Sequence, residues 1–249
     1  MRIDEARLDR DRVPPNALVR YPIRPEIKIV ELAPLPYLQD IVAYLRQEEP
    51  KLWSWFASQG FEEERVAAVR LDLLKATVRL DRETHGSLYA AAGDVAARLG
   101  VQAPVTLYQA GGDGANAALF DLPGEIHVVL QGPVTAALDE RELRALLGHE
   151  IGHFRLLRED GGAYRIADQL VSSMAHDPRA EASHQRTAHL FRLYVEAYAD
   201  RAALTVTEAL EPVVTCLVKV ETGLSPRARA RTWRRRTRSS RLRIRQRRG

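Results

Sequence analysis

Residues 138–154 read LDERELRALLGHEIGHF. Asp139 followed three residues later by Glu142 is a capping-box pattern, in which each side chain can accept a hydrogen bond from the other's backbone amide. Leu143, Leu146, Leu147, Ile151 and Phe154 then recur at three-to-four spacing and mark a buried stripe. The pattern predicts a helix running to about Leu157, ahead of the Glu159-Asp160-Gly161-Gly162 break. On this helix stands His149-Glu150-Ile151-Gly152-His153. Side chains four apart share a helix face, so both imidazoles can address one ion while Glu150 projects beside them toward a water.

Zinc suits such a pair, because it takes nitrogen and oxygen donors and in catalytic sites uses three protein ligands with a fourth position open. Solvated surface is the other reading of two histidines and a glutamate. A capped amphipathic helix, with Gly152 where a neighbour can approach, does not follow from that reading. The third ligand is read as Glu196, in Tyr194-Val195-Glu196-Ala197-Tyr198-Ala199-Asp200-Arg201. Asp200 lies four residues on, on the same face, placed to accept a hydrogen bond from the distal nitrogen of a liganding histidine, His149. Sequence proximity to Glu196 makes His184, His189, Tyr194, Tyr198 and Arg201 candidate oxyanion or substrate contacts. For His184 and His189 a partly exposed helix position is the simpler assignment.

Upstream of this helix, Val105–Tyr108, 116–120 and 125–130 are short and β-rich, the last two separated by Pro123-Gly124, a pair that suits a type II turn. A small antiparallel sheet is expected. Helices are expected from Tyr37, over 62–80, over 86–99 with Gly100 as C-cap, and over about 163–175 and 179–210. Trp53 and Trp55 read as core anchors, with a ligand platform as the alternative. Cys216, inside Val213–Val218, reads as a buried small hydrophobe. Six prolines in the first 36 residues make that stretch an extended or wrapped arm. The organisation expected is an N-terminal arm and helix over 1–60, with a covering lid or a propeptide as its two readings, a catalytic domain over 61–224, and a tail over 225–249.

The 249 residues, 45% hydrophobic and 28% charged, exclude collagen-like, disulfide-scaffold and wholly disordered chains. One cysteine leaves no intramolecular disulfide, the opening residues are charged without an apolar h-region, and no stretch has the roughly 18 apolar residues of a membrane span. A soluble, cytoplasmic protein without an integral membrane span is expected. The net charge of +4 misleads: residues 226–249 hold 12 arginines and no acid, leaving 25 basic against 33 acidic residues in 1–225, a net of −8. The arginine tail has three readings: a solvated disordered segment, a contact for nucleic acid or an anionic surface, and the product of a GC-rich gene read in a shifted frame.

Asn116-Ala117-Ala118, Pro123-Gly124, Leu138-Asp139-Glu140, Glu142-Leu143, His149–His153 and Glu196–Arg201 together resemble the succession of motifs in peptidase family M48, the zinc metallopeptidases that include the HtpX heat-shock proteases and the CAAX prenyl endopeptidases. The resemblance covers about residues 87–220. It implies an α+β, predominantly helical, zincin-like catalytic domain with its small sheet packed on the active-site helix. It implies one Zn2+ per chain on His149, His153 and Glu196, with Glu150 as general base of a metalloendopeptidase. The strand at Asn116 and Ala117 resembles the family's substrate-side edge, where an extended peptide or unfolded protein segment would pair. The best-known relatives are membrane-embedded, and the missing spans point to a soluble branch. The alternative from a different class is a zinc-stabilised scaffold or peptide-binding protein with little turnover.

Overall fold

The computed structural model describes residues 31–59 and 63–222. The proline-rich arm up to residue 30 and the arginine tail lie outside the described residues. In chain order the elements are α1 (Pro36–Glu48), α2 (Pro50–Gln59), α3 (Glu63–Ala76), β1 (Thr77–Arg79), α4 (Gly86–Arg98), β2 (Val105–Ala110), β3 (Asn116–Leu122), β4 (Glu125–Gln131), α5 (Val134–Ala137), α6 (Glu140–Arg158), a 3-10 turn (Glu159–Gly162), α7 (Ala163–His176), α8 (Ala182–Thr207) and α9 (Leu210–Thr222). The α+β, predominantly helical class holds.

The sheet is mixed rather than antiparallel, in the order β1-β2-β4-β3. β3 and β4 form the expected hairpin, closed by Gly124 at φ 78°, the value the second central position of a type II turn needs. β2, however, runs parallel to β4, with Leu107 opposite Val128. The reason is burial. Ile126, Val128, Val129 and Leu130 are all buried, so β4 carries apolar side chains on both faces and takes the interior of the sheet, leaving β3 at the edge. One face packs on α4 and α6; Tyr108, Leu122 and Val129 on the other meet Leu73 of α3.

Three further expectations are corrected. The helix expected over 62–80 stops at Ala76, because β-branched Thr77 and Val78 instead pair with the outer edge of β2, Thr77 opposite Ala110. Trp55 is 55% exposed and anchors no core, whereas Trp53 does pack against the main core, half-buried beneath the Arg46 guanidinium. Pro50 opens a new helix there, and only one face of α2 meets α7. The long helix expected over 179–210 ends at Thr207, where Glu208 turns left-handed at φ 52°, and a separate helix, α9, follows.

α6 is the central element. Asp139 accepts from the amides of Arg141 and Glu142, both at 2.9 Å, and Glu142 Oε2 accepts from the Asp139 amide at 2.8 Å, so the capping box is complete. Leu147 and Ile151 are fully buried, and truncating either to alanine would cost roughly 2–5 kcal/mol. Gly100 ends α4 at φ 68° as expected. Leu38, Val42 and Leu45 of α1 enter the same core, alongside Tyr164, Ala167 and Leu170 of α7.

Candidate metal centre

The approach of α8 to α6 is set by small residues. A Cβ added to Gly152 would lie 2.6 Å from the Ala202 Cβ, and one added to Gly148 would lie 2.9 Å from the Ala203 Cα. With Ala199, Ala202 and Ala203 facing Gly148 and Gly152, the two backbones come close enough for a short carboxylate arm to span the gap. That arm is Glu196, one turn before Asp200 on α8.

The result is a tight convergence of three donor atoms. His149 Nε2 and His153 Nε2 lie 3.1 Å apart, with Glu196 Oε2 at 3.2 Å from the first and 3.6 Å from the second. Zinc–ligand bonds of ~2.0–2.1 Å in tetrahedral array place neighbouring donors roughly 3.3–3.4 Å apart, so the triangle has the dimensions of three corners of such a site. His149, His153 and Glu196 form a group of the kind that can hold a metal ion, with donor atoms all within 4.8 Å of one another.

Proton bookkeeping points the same way. Asp200 Oδ1 sits 2.9 Å from His149 Nδ1, a contact that requires the proton on Nδ1. A neutral His149 then turns its Nε2 lone pair toward the Glu196 carboxylate and the His153 ring. Three lone-pair donors facing one another call for a positive charge among them, supplied by a proton or by a metal ion. Without a metal, burial works against a charge on His149, yet the hydrogen bonds to Asp200 and Glu196 overcome it and push the pKa up to about 10. The same bonds from His149 and His153 hold the Glu196 carboxyl well below the usual carboxylate range.

Glu150, beside these three donors, is only 7% exposed. Burial pushes its carboxyl upward, opposed by the charges of His149 and His153 and by the Leu119 amide of β3. A cleft of about 310 Å3 brings together His149, Glu150, His153, Glu196 and Asp200, with Asn116 and Ala117 at the start of the edge strand. Asn116 Oδ1 accepts from the Ala117 amide at 2.8 Å, which occupies that edge donor.

The remaining sequence candidates stand elsewhere. Tyr198 is 0% exposed and lies in the core. Tyr194 stacks on Tyr37 with ring centroids 4.6 Å apart. Arg201 donates to the Ala33 and Glu31 carbonyls at 2.9 and 3.4 Å, tying down the segment before α1. His184 caps α8 together with Glu181, and His189 is exposed on the same helix. None of these five lines the cleft. Conversely, sequence reasoning overlooked α9, whose Val213, Cys216, Leu217 and Val220 form one wall of it. Their three-to-four spacing was the available signal.

The family model of peptidase family M48 matches residues 83–176, the stretch from α4 through α7 that contains both histidines and Glu150. Glu196 and Asp200 lie beyond that match. The chain is also similar to the Protease HtpX homolog of Thermoplasma volcanium, 28% identical over 176 residues, which is 60% of this chain and 56% of the relative. The chain thus spans about half the length of the curated relative it matches. Both comparisons uphold the resemblance to family M48. Among the described residues, no helix is long and apolar enough to cross a membrane.

Proposed function

We propose that this protein is a zinc-dependent endopeptidase that hydrolyses peptide bonds in unfolded or extended polypeptide. The observation that carries the reading is the convergence of His149 Nε2, His153 Nε2 and Glu196 Oε2 within 3.1–3.6 Å beside the buried Glu150, in a cleft bordered by an edge strand. In this reading those three residues hold the metal, one ion per chain. Zinc supplies Lewis acidity, polarising a peptide carbonyl and making water a usable nucleophile near neutral pH.

The chain's own groups do the rest. Asp200 holds the proton on His149 Nδ1, which fixes the ring's orientation and leaves Nε2 free to ligate. Glu150 accepts the proton of the attacking water and delivers it to the leaving amine. Its burial raises its affinity for that proton, which suits a base that must also act as an acid near neutral pH. An extended peptide can lie along the beginning of β3 once the Asn116 side chain swings off the Ala117 amide, so affinity would come without strong sequence choice. Cytoplasmic action belongs to the same reading, in keeping with a composition of one cysteine in 249 residues.

Glu150→Gln tests the assignment. The variant is expected to bind zinc as the parent does and to lose ~10²–10⁴-fold in cleavage of an unfolded protein, since general-base catalysis contributes about that much. Chelation should abolish the parent's activity, and zinc should restore it. Zinc binding without chelator-sensitive cleavage would favour the scaffold alternative, and equal cleavage by parent and variant would remove Glu150 from the mechanism.

A further inference from the structure

The charge of the chain is divided unevenly, and its two parts meet at one place in the fold. Residues 226–249 hold 12 arginines and no acid. α9 ends at Thr222, and Val220 and Glu221 just before that end line the cleft beside the proposed metal ligands. The arginine-rich segment is therefore joined to the fold at the rim of the cleft. The junction is also fixed: Lys219 Nζ bonds Glu142 Oε2 at 2.6 Å and the Ala137 carbonyl at 3.1 Å, which holds the last turn of α9 against the start of α6.

The cleft carries the opposite charge. Glu150, Glu196, Asp200 and Glu221 line it, and no lysine or arginine does so among the described residues. Other acidic side chains are matched by arginines, Asp94 by Arg98 and Arg144, Asp160 by Arg46, and Glu208 by Arg98. In the cleft, Glu196 and Asp200 meet His149 and His153 instead, and Glu221 is exposed. A zinc ion of charge +2 would offset only half of the four carboxylates.

We infer that the chain's own residues 226–249 dock in this cleft and shield it from other polypeptides. The inference rests on the peptidase reading only for its effect on cleavage, since docking is read by binding. Arg227 lies five residues beyond Thr222, a reach of at most ~18 Å for an extended chain. Arg236 lies fourteen residues beyond it, and a flexible chain of that length spans roughly 19–22 Å. The run from Arg227 to Arg236, with six arginines, is thus kept around the cleft. A short tether gives an effective concentration on the order of 1 mM, so an intrinsic Kd of ~0.1 mM already leaves the cleft about nine-tenths occupied. Guanidinium forks bind carboxylates in pairs of hydrogen bonds, which suits arginine to this lining. Such contacts at a solvated rim are screened as the Debye length shrinks from ~10 Å at 0.1 M salt to ~3 Å at 1 M, so salt releases the segment.

The test uses the zinc-loaded full chain carrying Glu150→Gln, so that an added peptide is not cut. Two forms are compared, the parent tail and one with every arginine of 226–249 replaced by glutamine. A synthetic peptide of residues 226–249 is titrated into each by calorimetry at ~50 mM salt. The neutralised chain should bind it with a Kd of ~0.1 mM or tighter, and the chain with its own arginines roughly tenfold more weakly, because its tethered segment competes. At ~500 mM salt binding to both should be lost. Glu221→Lys in the neutralised chain should weaken the peptide roughly fivefold, whereas Glu48→Lys makes the same charge change at an exposed position of α1 outside the cleft and should leave it unchanged. Glu221→Gln takes its place if Glu221→Lys fails to fold. Equal peptide affinity for the two tails, or equal losses from Glu221→Lys and Glu48→Lys, overturns the inference. A difference between the tails that grows with protein concentration assigns the cleft to a neighbour's segment and overturns the intramolecular form. Cleavage of an unfolded protein is measured separately with Glu150 intact: the neutralised tail should speed it at ~50 mM salt and make no difference at ~500 mM. Peptide competition without cleavage by either chain keeps the docking and removes the peptidase, and cleavage at one rate by both chains without competition does the reverse.

Discussion

Gly152→Ala probes the contact that brings Glu196 to the histidines. The new Cβ would stand 2.6 Å from the Ala202 Cβ and 3.3 Å from the Ala199 Cα. Neither obstacle can rotate away, because a Cβ and a Cα follow the backbone. Ordinary van der Waals contact begins near 3.4 Å, so α6 and α8 must part locally by about 0.8 Å. Overpacking of this kind costs ~1–3 kcal/mol, and at 2–4 °C per kcal/mol for a chain of this size the metal-free protein should melt roughly 2–12 °C lower. The larger effect falls on the metal. Glu196 rides on α8 less than two turns from Ala202, whereas ligand distances in a formed site are held within about ±0.2 Å. Zinc affinity, read by competition with a chromophoric chelator, should fall at least tenfold, about 1.4 kcal/mol. Gly93→Ala in α4 is the control: its new Cβ meets nothing within 4 Å, and replacing a helix-interior glycine should stabilise by roughly 0.5–1 kcal/mol without touching zinc binding. If Gly152→Ala binds zinc within twofold of the parent and melts at the parent's temperature, the small-residue contact does not set the ligand geometry.

Asp200→Asn removes the carboxylate that fixes the His149 tautomer and should weaken zinc binding ~10–100-fold in the same competition assay; unchanged affinity would leave Asp200 without a role in orientation. In the zinc-stripped protein, His149 is raised from an ordinary 6.5 to about 10, so its contribution to stability is complete below pH 6.5 and is lost as pH rises through 10. Denaturant titrations at pH 6.5, 8 and 9.5 should therefore show falling stability, and a rise across that window would contradict the assignment. The Cys216 thiol, 2% exposed and pushed up to about 12 by burial, should resist a thiol reagent at pH 8 until denaturant is added; rapid labelling of the native protein would place it at an accessible surface. Glu208→Gly relieves a left-handed residue at the end of α8 and gives up only an exposed ion pair with Arg98, so a gain of roughly 0.5–1 kcal/mol is expected in thermal unfolding, and a loss would show the ion pair to matter more than the backbone.

What could be read from the chain follows from how local its signals are. The start of α6 was legible because a capping box lies within four residues, and the shared face of His149 and His153 because a helix repeats every 3.6. Glu196 and Asp200 were readable as a pair for the same reason, although they stand far from the histidines along the chain. The mixed sheet was not legible, since a hairpin signal says nothing about the strand on its other side; the partner of β4 is decided by which strand can be buried on both faces. β1 escaped notice because three residues of strand carry no period of their own. The wall built by α9 was hidden most completely. Its anchor, Lys219 to Glu142, joins positions 77 residues apart, and apolar spacing reveals a buried face without revealing what it is buried against. In one respect, however, tertiary contact did leave a local trace. Gly148 and Gly152 stand four apart on one helix, and Ala199, Ala202 and Ala203 recur at three-to-four spacing on the other. Two helices that come close enough for a short carboxylate on one to reach the histidines of the other can carry only small residues along the seam, so matched runs of small residues locate the crossing before any coordinate does.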